Sequence, residues 1–202
     1  MTVLKMEPQL VLDRCPHCSV AKPHLAMQWT TKTASHANRN HRDWAVYRCQ
    51  TCGGLVMCAG KDGTGLIVTE MYPAAMSVSD DIPERGRAYL QQAIETVHAP
   101  AGSVMLAASA VDAMLKAKNL TTGSLYERID AAAANHLITA EMSAWAHEVR
   151  LDANDQRHAD VSAQLPGEDD AKKAIAFAAA LGEFLFALPA RVTRGRKGVT
   201  AP

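Results

Sequence analysis

Two cysteine pairs, Cys15-Pro-His-Cys18 and Cys49-Gln-Thr-Cys52, constrain this chain more than any other feature of its sequence. Each C-x2-C presents two thiolates from a tight turn, and two such knuckles close a tetrahedral four-sulfur shell around zinc. A closed shell leaves no open coordination position, so the Zn2+ it implies is structural. Reduced structural cysteines, or a redox C-x2-C, are the competing readings, but two matched pairs are more specific than one. His17 stands between two of the cysteines and is the alternative should one of them be replaced as a ligand; Cys58 stands in an apolar run and reads as core. The first eight residues hold no apolar signal-peptide core, so a reducing, cytoplasmic setting is expected, which favours metal over disulfides.

The residues around the pairs read as β structure. Short β-type runs at 24–31, 43–48, 55–59 and 65–71 are punctuated by Gly53-Gly54, Gly60 and Asp62-Gly63, with a polar loop at 32–42. The spacing predicts a small β zinc ribbon over 10–73. A module of that size holds little apolar core, so metal ligation would supply much of its folding free energy.

From Asp81 onward the periodicity is helical. Five helices are predicted, at 83–98, 103–118, 125–137, 140–158 and 171–188, joined by short turns. Asp81, Ser124 and Thr139 are candidate N-caps, and Pro100-Ala-Gly102 is a break. The longest apolar run, 174–190, is interrupted by Gly182 and Glu183 and reads as a core helix rather than a membrane span. Residues 189–202 read as a flexible basic tail. The predicted fold class is therefore mainly α: a five-helix bundle over 81–188, preceded by the small β zinc ribbon.

Charge is divided along the chain although its net value is zero. Residues 1–73 hold eight Lys/Arg against five Asp/Glu, residues 74–188 nine against sixteen, and the tail adds Arg191, Arg194, Arg196 and Lys197 without an acid. A nucleic acid would be drawn to the two ends and repelled by the middle.

The fourth predicted helix carries a polar stripe. At 100° per residue His147, Leu151, Asn154 and His158 fall within about 60° of one another, with Arg150 on the flank. An amphipathic helix ordinarily buries an apolar stripe, so this one has three readings. It is a buried hydrogen-bond network fixing helix register, a catalytic constellation, or a binding and dimerisation face.

The order of cysteine knuckles, proline, helices and then Arg150-x3-Asn154-x3-His158 resembles a bacterial and phage domain of unknown function in the HEPN-like superfamily (higher eukaryotes and prokaryotes nucleotide-binding). The resemblance covers residues 15–188 and implies a HEPN-like five-helix bundle that forms a homodimer through its helices. It also implies metal-independent RNA cleavage by 2′-hydroxyl attack. His158 would handle the proton, Arg150 the phosphate charge and Asn154 the orientation of His158, with His147 a secondary candidate. On this reading the chain is a nucleic-acid-associated accessory protein of prokaryotic defence or phage–host conflict. Its ribbon and its tail (Arg191, Arg194, Arg196, Lys197) would contact RNA or DNA, and no membrane is involved. The alternative is a non-catalytic protein–protein interaction or dimerisation module.

Overall fold

The computed structural model describes residues 3–74, 78–158 and 164–197, without the side chains of 155–158 and 197. The chain divides into two compact units, Met1–Met76 and Ser77–Pro202.

The first unit is a five-stranded antiparallel sheet in the order β1-β2-β3-β4-β5. The strands are β1 (Gln9–Leu10), β2 (Leu25–Thr33), β3 (Arg42–Cys49), β4 (Leu55–Lys61) and β5 (Glu70–Tyr72). Alternation decides its faces: Asp43, Ala45, Tyr47 and Cys49 of β3 turn inward, and Arg42, Trp44, Val46 and Arg48 turn outward. The inward side meets Met6, Leu10, Leu25, Val56 and Cys58 in a core of its own. Tyr47 is fully buried there, with its hydroxyl donating to the Glu7 carbonyl at 3.0 Å. In β2 the register slips between Met27, opposite Tyr47, and Trp29, opposite Val46. Gln28 is the extra residue of this β-bulge.

The second unit is helical: α1 (Glu84–Glu95), α2 (Pro100–Ala117), α3 (Leu125–Ala134), α4 (Ala140–His158), α5 (Glu168–Gly182) and α6 (Leu188–Lys197). Local chemistry sets several ends. Ser124 and Glu127 form a reciprocal capping box at α3, and the Ser124 backbone N–H, with the Ser124 hydroxyl, holds the Glu127 carboxyl below its usual value. Thr139 Oγ1 accepts from the Met142 N–H at the start of α4. Pro100 opens α2 rather than breaking the chain, because the first helical turn needs no N–H from it. α2 packs against α1, α5, α4 and α3, and its Val104, Ala107, Val111 and Met114 join Leu90, Ile129, Phe177 and Leu181 in the core. Gly182 makes this possible at one point: a Cβ there would come 2.4 Å from Ile82 Cδ1 and 3.3 Å from Met114 Sδ.

These observations correct the predicted fold class. The chain is not a mainly α bundle with a small ribbon in front, because the β unit is a full five-stranded sheet with a separate core. The two outer strands pair with β2 and β4 through only two or three residues each, as Leu10 with Leu25 and Cys58 with Met71. Nor do the helices end as predicted. After α5 the chain widens into a π turn (Glu183–Ala187), where the Leu188 N–H reaches back to the Glu183 carbonyl. Pro189 has no N–H to give to an α turn and its ring would crowd the carbonyl four residues back. Beyond it α6 is helical through Lys197, so the stretch read as a flexible tail from 189 is structured that far; residues 198–202 lie outside those described. The span Glu168–Arg196 is long and apolar enough to cross a membrane by length and composition. Its Ala171, Ala174, Phe177, Ala178, Leu181 and Leu185 lie in the core of the helical unit.

Candidate metal centre and cationic cleft

The two knuckles are built alike. In the first, Cys15 N–H bonds the Val20 carbonyl at 3.0 Å and Ser19 N–H bonds the Cys15 carbonyl at 2.9 Å. In the second, Cys49 N–H bonds the Gly54 carbonyl at 2.9 Å and Gly53 N–H bonds the Cys49 carbonyl at 2.9 Å. Both turns therefore need a left-handed fifth residue, and Ser19 (φ 56°) and Gly53 (φ 75°) supply it. The geometry aims backbone amides at sulfur: His17 N–H points to Cys15 Sγ and Gly54 N–H to Cys52 Sγ, each at 3.4 Å.

Together the knuckles bring the four Sγ atoms within 4.8 Å of one another, with Cys15 and Cys52 4.0 Å apart. Sulfurs bound at about 2.3 Å in a tetrahedron stand roughly 3.8 Å apart, so the group fits a metal with little movement. The thiols are not equivalent. Burial, partly offset by N–H donors, pushes Cys15 up, and it pushes Cys18 up to about 12. Burial also opposes ionisation of Cys49, but the Cys52 and Thr51 N–H groups with the Cys15 and Cys52 thiols outweigh it and bring it down to about 7. A cation at the centre would favour all four thiolates. His17 is not aimed at the sulfurs: its Nε2 hydrogen-bonds the Leu55 carbonyl at 2.8 Å, and its ring lies where a Gly54 Cβ would be. Cys58 is fully buried in the sheet core, which pushes its thiol up to about 11.

In the helical unit the polar stripe of α4 is not its buried side. Ala146, Val149 and Ala153 face the core, whereas Leu151 and Asn154 are exposed and His147 and Arg150 half-buried. For Asn154 this overturns the reading of a buried register network. Arg150 and Asn154 instead line a cleft of about 660 Å3 with Arg85, Asp112, Lys116 and Arg128. Arg128 is 8% exposed and tethered. Its Nε and Nη2 donate to Asp112 Oδ1 at 2.8 and 2.6 Å, and its Nη1 donates to the Thr122 and Gly123 carbonyls. Lys116 takes the other Asp112 oxygen at 2.6 Å. One carboxylate thus stands among four cations. The Arg150 guanidinium lies over the Tyr126 ring, 5.3 Å from its centroid, and its Nε is buried without a partner among the described residues.

His147 packs against Tyr126, with ring centroids 4.6 Å apart. Its Nε2 meets Asp130 Oδ1 at 3.0 Å, its Nδ1 is buried and unpartnered among the described residues, and it does not line the cleft. The His158 side chain lies outside the described residues, as does that of Lys197. The other basic residues proposed for nucleic acid are partly engaged elsewhere. Arg191 pairs with Glu183, and Arg194 binds both Asp81 oxygens, at 2.7 and 2.9 Å; Arg196 is exposed. Arg85, Arg128 and Tyr126 were not found from sequence. The Asp112/Lys116 i,i+4 spacing was a legible signal, but the approach of Arg128 to Asp112 exists only in the fold.

The class that fold and site define is a β unit with four cysteines close enough to hold a metal, joined to a helical unit with a cationic cleft. Within it, residues 91–198 match the family described as a domain of unknown function (DUF4145), and the chain belongs to that family. No curated protein and no solved structure matches the chain.

Proposed function

We propose that this is a nucleic-acid-associated accessory protein whose helical unit holds an RNA phosphate in the cleft lined by Arg150. The observation that carries the reading is the composition of that cleft: among the described residues, Arg85, Lys116, Arg128 and Arg150 stand around one carboxylate, Asp112. Asp112 is already shared by Arg128 and Lys116, so among the described residues Arg85 and Arg150 are left without a carboxylate and can meet an incoming anion. Arg150 lines the cleft with its guanidinium over Tyr126, and guanidinium groups match phosphate oxygens in shape and charge. Asn154 adds an amide at the rim.

The metal is read as structural Zn2+, held by Cys15, Cys18, Cys49 and Cys52, because four cysteine sulfurs gathered within 4.8 Å of one another suit it. HEPN-like kinship, homodimerisation through the helices, cytoplasmic residence and a role in prokaryotic defence or phage–host conflict belong to the same proposal. The cleaving version adds His158 for proton transfer. The purely binding version is favoured by His147, whose ring is engaged by Asp130 and Tyr126 away from the cleft.

Titration of a fluorescent single-stranded RNA at several salt concentrations tests the reading. Removing one phosphate-contacting cation lowers the slope of log affinity against log salt by about 0.7. Arg150→Ala should show that loss together with weaker binding. An unchanged slope and affinity would refute the cleft. Cleavage by the wild type in chelator, absent from His158→Ala, would select the enzyme over the binding protein.

A further inference from the structure

The face of the sheet turned away from its core carries an apolar row across its middle, where a solvated antiparallel face is ordinarily polar. Cross-strand pairing sets Trp29, Val46, Met57 and Tyr72 in one row across β2, β3, β4 and β5. At about 4.8 Å between strands this row is roughly 14 Å long. Trp29 is 58% exposed, Tyr72 47% and Met57 37%, an apolar surface that a folded chain does not leave open without use. The neighbouring row contains Trp44, whose ring carries the Arg42 guanidinium 4.8 Å from its centroid and whose indole N–H donates to Thr33 Oγ1.

Cations close the aromatic band at both ends. Arg48 stands opposite Leu55 on one side, and Arg42 opposite Lys61 on the other. Glu70 supplies the carboxylate of this face, opposite Ala59, and it is already engaged by Arg42 and by the Tyr72 hydroxyl. Arg48 and Lys61 are exposed, and neither has a carboxylate partner among the described residues.

We propose that this sheet face binds single-stranded nucleic acid, with unpaired bases stacked on Trp29 and Tyr72 and phosphates held by Arg48 and Lys61. Flat aromatic rings between exposed cations suit a polymer that alternates π-faces with negative charges, and such stacking tolerates any base sequence. An acidic protein segment would meet the cations but would leave the aromatic row without matching partners. The proposal deepens the nucleic-acid reading above and rests on it, while placing the contact in the β unit, outside the residues of the family match.

The test uses the full metal-loaded chain and labelled oligouridylate or oligothymidylate of about 15 nucleotides, with a duplex of the same length as comparison. The wild type should bind both single strands, and the duplex should bind more weakly. The double substitution Trp29→Ala, Tyr72→Ala should weaken single-strand binding by about tenfold or more, and Trp29→Phe should retain most of it. Both aromatic side chains are exposed, so circular dichroism melting should match the wild type. Equal affinity for wild type and the double variant overturns the platform, as does equal binding of the duplex. If Arg150→Ala abolishes binding while the double variant does not, the platform falls and the cleft stands. The reverse pattern keeps the platform and removes the cleft, and absence of binding to either single strand removes both.

Discussion

Replacing Asp112 by alanine strands a charge. Arg128 is 8% exposed, and two of its nitrogens depend on one oxygen of Asp112. Breaking a buried pair by removing one partner costs about 3–5 kcal/mol, because the remaining charge is left uncompensated. Two features lower that figure here. The guanidinium keeps its contacts with the Thr122 and Gly123 carbonyls, and the Asp112 side chain is itself 23% exposed, so water can enter the vacated space. A loss of about 2–3 kcal/mol is expected. Urea unfolding followed at 222 nm reports on the helical unit, since the helices dominate that signal, and the transition is to be fitted separately from that of the β unit. The pair substitution Asp112→Leu, Arg128→Met removes both charges at once and should lie within about 1 kcal/mol of the wild type. A loss below about 0.5 kcal/mol for Asp112→Ala refutes the account of a stranded charge. So does a pair variant as unstable as the single one.

Cys49→Ser should abolish stoichiometric metal binding and unfold much of the β unit, since metal ligation is coupled to folding, whereas His17→Ala should keep one metal per chain by elemental analysis; loss of metal from His17→Ala would make it a ligand. Arg194 holds the Asp81 carboxyl below its ordinary value near 3.8, so the pair's stabilisation is fully present above that value and is lost as pH falls through the lower folded-state one. Melting of the wild type against Asp81→Asn should therefore show a constant gap from neutral pH to about 5 that closes in stronger acid; a gap unchanged in acid refutes the linkage.

The knuckles were legible because ligation by C-x2-C depends on spacing inside one short turn. The role of His17 was not, because its acceptor, Leu55, is brought in by the register of β4. Ser124 was readable as a cap since its partner is three residues away. β1 was not legible as part of the sheet, because a strand of two residues carries no periodicity and exists only through its neighbour, and the β run expected at 65–71 meets β5 only at Glu70 and Met71. The helical-wheel reading of α4 grouped Asn154 with His147 and left open whether that stripe is buried or exposed. The side that reaches the core is lined by Ala146, Val149 and Ala153, and small residues contrast weakly with their surroundings in sequence while allowing close helix approach in space. Asp112 and Arg128 stand on different helices, so their meeting required the packing of α2 against α3.

The extra residue at Gln28 changes the parity of a strand. In a regular β2, Leu25, Met27, Trp29 and Thr31 would all share one side, and a tryptophan would have to fit where Tyr47 already fills the interior. The bulge divides the strand's loyalties midway: Leu25 and Met27 answer to the core, Trp29 and Thr31 to the outside. Substitutions in the first half are therefore judged by how they pack and those in the second by what they meet in solution, so the two halves of one strand are free to evolve under separate rules.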